Sequence, residues 1–230
     1  MQGEHKSRSY LFLISYLLLG YLSFQLHEIG HYKMARVFGL ETFFGFNRWQ
    51  ILSESSQFQK LAISVAGPLM TLFLAFFGLA LVYRSTDVLL KRIGFMLAIF
   101  NSLMALIPNL MFFSWSGDLT WVSYYTGIPE YSIRIPFILI YLATLLLVFK
   151  KAEKEFRCAK YIVILFFITI AIIALNFILD LIVWEWKKAS LLFQPLFGIS
   201  AVVILTDVFA FLAFVYVMLV YKRVESDYSV

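Results

Sequence analysis

The sequence predicts an all-α polytopic membrane protein. One membrane domain spans residues 1–230, with about six transmembrane helices and a short membrane-associated β segment after the first. Three observations predict it. The chain is 62% hydrophobic and 14% charged, where soluble domains run nearer half apolar and a quarter charged. Several uncharged runs reach the roughly 20 residues that a helix needs to cross a bilayer. Between the first two runs lies a stretch, 40–60, whose aromatic and β-branched residues and turn formers (Gly45, Asn47) read as one or two short strands.

The same composition excludes several classes. The net charge of +5 comes from basic loops between spans. It suits anionic lipid headgroups and gives no reason to expect nucleic acid. Cys158 is the one cysteine, so no intrachain disulfide forms. No polar stretch is long enough for a separate soluble domain.

The elements follow in order. Residues 10–26 are apolar, and the helix is expected to continue through His31 to about Phe38, where Gly39 stops it. Lys6 and Arg8 precede this run as they would in a signal peptide, but no small-x-small cleavage site follows. The second span covers 61–83 and carries Ala66, Gly67 and Pro68, which loosen the helix and admit a close backbone approach. The third covers 93–110 and ends in Ala105, Leu106, Ile107, Pro108 and Asn109; a loop with Ser114, Ser116, Gly117 and Asp118 follows. The fourth, 135–149, is short and begins with Pro136. A basic linker leads to the fifth, 161–184, where Asn176 and Asp180 share a face. The sixth, 197–221, holds Asp207 near its middle. Residues 187–197 form either a connector or an interfacial helix acting as a gate.

Chemistry concentrates in the first span. His27, Glu28, Ile29, Gly30 and His31 read H-E-x-x-H. Helix positions i and i+4 share a face, so both imidazoles reach one ion, and Glu28 stands beside them as a base for bound water. An ionised group at the bilayer centre costs on the order of 3 kcal/mol, and a shared ion accounts for two imidazoles and a carboxylate in one helical turn. Hydrolytic zinc sites use three protein ligands. The only other histidine, His5, lies far along the helix, so the third ligand is expected to be an acid. Asp118, Asp180, Asp207, Glu130 and Glu185 are the choices. Gly117 and the loop after Pro108 favour Asp118.

These residues resemble the site-2 protease family of intramembrane zinc metalloproteases. The carriers are His27 to His31 in a transmembrane helix, Ala66, Gly67 and Pro68 in the next span, and the stretch from Pro108 to Asp118. The resemblance covers roughly the first 120 residues. It implies a catalytic core of three spans over 10–120; the apolar runs add three additional spans over 132–222. It implies one Zn²⁺ per chain on His27, His31 and Asp118, Glu28 as catalytic base, and a β-structured segment that guides substrate. Phe44, Phe46 and Arg48, with Gly67, Pro68 and Asn101, are the expected substrate-binding residues. The chain departs from the family at Thr71 and Ala105, where asparagine is usual, although Asn101 lies one turn before Ala105. It also has Gly117 before Asp118 rather than after it.

The expected function is an intramembrane zinc endopeptidase acting on membrane-embedded or membrane-anchored proteins or peptides. The expected setting is the lipid bilayer of a prokaryotic plasma membrane, with room for a regulatory membrane partner and none for nucleic acid. The basic loops place the amino terminus in the cytoplasm and the histidine end of the first span on the opposite face. The resemblance implies a cytoplasm-facing site instead. Two other functions share the residues: a catalytically idle binder of membrane peptides, and a transporter using Asp180 and Asp207.

Overall fold

The computed structural model describes residues 2–46, 49–110, 117–156, 162–186, 195–196 and 199–226. Seven helices and four short strands alternate along the chain: α1 (Gln2–Val37), β1 (Thr42–Phe44), β2 (Trp49–Ile51), α2 (Gln57–Arg84), α3 (Val88–Leu110), α4 (Asp118–Thr126), α5 (Glu130–Phe156), α6 (Ile162–Trp186), β3 (Pro195–Leu196), β4 (Ile199–Ser200) and α7 (Ala201–Ser226). Six of the helices are long and apolar enough to cross a membrane; α4 is not among them.

Local sequence explains where these helices stop and start. After α1, Gly39 takes a left-handed φ of 70°, a conformation that costs a glycine little. The Leu40 amide then closes back on the Ala35 carbonyl at 3.1 Å. Ser56 opens α2 with a capping box: its hydroxyl accepts from the Gln59 amide, and the Gln59 side chain accepts from the Ser56 amide. Pro68 sits inside α2. It removes one backbone donor, and the Tyr141 hydroxyl of α5 donates to its carbonyl at 3.4 Å.

The tightest helix contact is between α2 and α3. A Cβ on Gly78 would lie 2.5 Å from the Gly94 carbonyl oxygen, and one on Gly94 would lie 2.6 Å from that of Gly78. The two backbones therefore touch, as small residues permit in apolar surroundings. Around this crossing, Tyr16, Phe95, Phe100, Val148 and Leu165 join α1, α3, α5 and α6 in the largest core cluster.

Of the one or two strands expected in the 40–60 stretch there are two, paired antiparallel with Phe43 opposite Gln50. The sheet has two further strands. β3 and β4 form an antiparallel pair, and β4 lies parallel to β1 through Phe44 and Ile199; the order is β2-β1-β4-β3. Residues 195–196, expected in a gate or connector, are thus part of a sheet; residues 187–194 and 197–198 lie outside the described residues. The sheet caps the bundle beside the carboxyl end of α1. β1 is buried on both faces, and Phe43, Phe44 and Phe46 share one core cluster with Tyr21, Tyr32 and Val203. Phe44 and Phe46 are 1% and 2% exposed, so they hold the sheet to α1 and α7 instead of presenting rings to an interface.

The fourth span is longer than the sequence suggests, since α5 begins at Glu130 and passes through Pro136. Pro136 lies past the first turn of α5, so the helix runs through it with one backbone donor, the one that would meet the Ser132 carbonyl, missing.

Candidate metal centre

Three elements bring the site together. His27 and His31 project from the same face of α1, and Asp118 is the first residue of α4. The sequence places Asp118 in a free loop. In the fold it is anchored at a helix start.

Each imidazole is held by its Nδ1. His31 Nδ1 lies 2.6 Å from the Ile63 carbonyl oxygen. A carbonyl only accepts, so Nδ1 carries the proton and Nε2 keeps its lone pair free in the neutral ring. His27 Nδ1 lies 2.7 Å from the Thr71 hydroxyl oxygen. Thr71 thus serves as the outer partner of a histidine.

The two Nε2 atoms then face one point. They lie 3.3 Å apart. Asp118 reaches both: Oδ2 is 3.0 Å from His27 Nε2 and Oδ1 is 3.3 Å from His31 Nε2. Donors about 2.0–2.1 Å from a tetrahedral ion are separated by about 3.3 Å, so the triangle fits such an ion. Among the described residues these three form the one group of histidines and acids close enough to hold a metal. Burial disfavours the Asp118 anion; with a second proton on Nε2, the charge of His31 and hydrogen bonds from both imidazoles outweigh it and hold the carboxyl well below its usual range.

Glu28 is 5% exposed, and its Oε1 is 4.0 Å from His27 Nε2. It stands outside the donor triangle and within one water of it. All four residues except His31 line a cavity of about 1060 Å³. Gln50 and Ile51 of β2 form part of one wall; Pro68, Thr71, Phe137, Tyr141, Ile173 and Phe177 bring α2, α5 and α6 to it.

The fold separates the expected substrate-binding residues. Pro68 lines the cavity. Gly67 lies beneath His31, so close that a Cβ there would be 2.1 Å from Nε2. Phe44 and Phe46 are in the core behind the sheet, and Arg48 lies outside the described residues. Asn101 is fully buried and donates to Leu97 of its own helix at 2.8 Å; it is not among the residues of the cavity wall. Residues that the sequence did not single out, Gln50, Trp121, Tyr125, Arg134 and Tyr141, are in that wall. Only the aromatic spacing of 121–125 hinted at a packed element there.

The other acids have different partners. Asp207 accepts from the Tyr21 hydroxyl at 3.0 Å. Asn176 accepts from Gln25 at 2.6 Å, and Gln25 also donates to the Phe46 carbonyl at 3.2 Å. Asp180 is buried one turn from Asn176 on α6. Glu130 pairs with Arg134. The Glu185 side chain lies outside the described residues.

No protein-family model matches the chain, and no curated protein or solved structure matches it either.

Proposed function

We propose that this chain is an intramembrane zinc endopeptidase of the site-2 protease type. The observation that carries the reading is the donor triangle of His27, His31 and Asp118, with Glu28 beside it, opening into one cavity. A soluble metal-binding module would not need the base. A pure ion site would not need the cavity.

An ion held by the triangle supplies Lewis-acid polarisation and eases deprotonation of water. The chain's own residues do the rest. Thr71 and the Ile63 carbonyl fix both imidazoles with Nε2 inward. Glu28 takes a proton from the attacking water as its oxygen bonds to the peptide carbonyl carbon. When the C–N bond breaks, Glu28 passes that proton to the departing amine nitrogen. The substrate backbone lies along β2. In the four-stranded order β1 is covered on both sides, by β2 and β4, whereas β2 has an outer edge, and Gln50 and Ile51 stand in the cavity wall. An extended peptide added at that edge passes in front of the donor triangle. The substrate is a membrane-anchored or membrane-embedded peptide segment, because Phe24, Met104, Phe137, Ile173 and Phe177 bring apolar side chains of helices long enough to span a bilayer into the wall.

The test is a panel of single-span fusion proteins incubated with the purified chain in lipid nanodiscs. The wild type is expected to cleave a subset, with loss of cleavage on chelation. Glu28→Gln is expected to keep one zinc per chain and lose at least about 1,000-fold in rate, the upper range for a removed acid–base group with some metal assistance lost. Cleavage that survives Glu28→Gln overturns the reading.

A further inference from the structure

The third ligand is held from outside the first three spans. Asp118 opens α4, and two residues later Thr120 turns toward α5. The Thr120 hydroxyl donates to Glu130 Oε1 at 2.5 Å and accepts from Arg134 Nη2 at 3.1 Å. Arg134 Nη2 also donates to Glu130 Oε1. The three side chains close a ring in which the hydroxyl uses both its donor and its acceptor capacity. Arg134 is 7% exposed, which is rare for an arginine unless it is paired. The ring lies beside the metal triangle, since Asp118 and Arg134 line the same cavity.

The same face of α5 reaches the other side of the site. Glu130, Arg134, Phe137 and Tyr141 recur at helical spacing. Tyr141 donates to the carbonyl of Pro68, next to the glycine on which His31 rests. α5 therefore touches both the ligand helix α4 and the turn of α2 under the histidines.

We propose that Thr120, Glu130 and Arg134 are positioning residues that hold Asp118 against the histidine pair, making α5 part of the metal site. The assignment rests on the metal-centre reading above, but not on peptide hydrolysis. The ring ties α4 to α5 near the ligand end. A second tie of α4, Gln57 Nε2 donating to the Tyr125 carbonyl at 2.7 Å, is at the opposite end. With the ring broken, Asp118 gains freedom to leave the triangle, and an ion there would keep two good ligands instead of three.

The experiment uses the full chain in nanodiscs and Co²⁺ as the probe, read by its visible absorption and by competition with a chelator. Thr120→Val keeps the shape and removes the hydroxyl. It is expected to weaken metal binding by about 10- to 100-fold, the usual effect of removing an outer-shell partner, and to change the tetrahedral Co²⁺ spectrum. Arg134→Gln is expected to do the same, and Thr120→Ser to restore both readouts. Thermal unfolding of the metal-free variants identifies any that fail to fold, and the Thr120→Ser and Thr120→Val pair then carries the comparison. Wild-type Co²⁺ affinity and spectrum in folded Thr120→Val overturn the proposal and leave the donor triangle standing. A wild type that binds Co²⁺ as expected but cleaves nothing overturns the peptidase and leaves the positioning role intact.

Discussion

The ring of His31 rests on the backbone of Gly67, with no room for a single methyl between them: a Cβ on Gly67 would lie 2.1 Å from Nε2. The atom it would strike is the one that faces the ion. Gly67→Ala is therefore expected to displace the ligand itself. Overpacking of this kind costs about 1–3 kcal/mol in stability, and the loss of metal should be larger than the loss of fold. Metal content of the purified variant, measured beside its thermal unfolding, decides the matter. A variant with full metal content would show that α2 can move away from α1.

Thr71 gives a gentler version of the same test. Its hydroxyl is the partner of His27 Nδ1. Thr71→Val should lower metal affinity by about 10- to 100-fold, and Thr71→Ser should not. Chelator competition measures both. Equal affinities for the two variants would mean that water or another group replaces the hydroxyl.

Acid should not strip the site through its carboxylate. Burial disfavours the Asp118 anion, but the charge of His31 and hydrogen bonds from the imidazoles hold its carboxyl well below the ordinary range. A depressed carboxyl loses its contribution only when pH falls through that low value. Between about pH 5 and pH 7, metal binding should therefore displace no proton from Asp118. Infrared difference spectra check this: a protonated-carboxyl band that disappears on metal binding, and is absent from Asp118→Asn, would place a titrating carboxyl in the ligand set.

The intramembrane acid Asp207 should be dispensable for chemistry. It accepts a hydrogen bond from Tyr21, and α1 and α7 are the helices it joins. Tyr21→Phe and Asp207→Asn are expected to keep the metal and the cleavage rate. Their coupling in a double-mutant cycle of stability should fall near the 0.6 to 1.7 kcal/mol, roughly, that membrane hydrogen bonds show. A transporter would instead lose flux in Asp207→Asn, measured in liposomes with Glu28→Gln as the silent control.

The sequence carried the parts of the fold that repeat locally. Long uncharged runs marked the six helices, since no other backbone conformation satisfies its own polar groups in lipid. His27, Glu28 and His31 were readable because i and i+4 share a helix face. Asp118 was readable as an acid just beyond an apolar run, but its helix was not, because Gly117 before it resembles a loop. The aromatic strand stretch was readable as strands and not as core. Phe44 and Phe46 alternate in the same way whether a face meets lipid headgroups or α7, and only the return of residues 199–200 decides which. Asn101 illustrates the limit of counting turns: it lies on the expected helix, yet its amide is spent on Leu97. Arg134 and Glu130 read as ordinary charges at a span boundary because their partner, Thr120, belongs to another helix.

The sheet joins segments from opposite ends of the chain, Phe44 beside Ile199. A ribosome delivers them far apart in time. His27, Glu28, His31 and Asp118 leave it early, and the α5 residues around Arg134 soon after. β4 emerges only when the last helix is about to follow. Until then β1 has one neighbour and the platform beside the metal triangle is half built. The order of synthesis thus delivers His27, Glu28, His31 and Asp118 before the sheet beside them is complete, and a chain released before residue 199 carries these four residues next to an unfinished sheet.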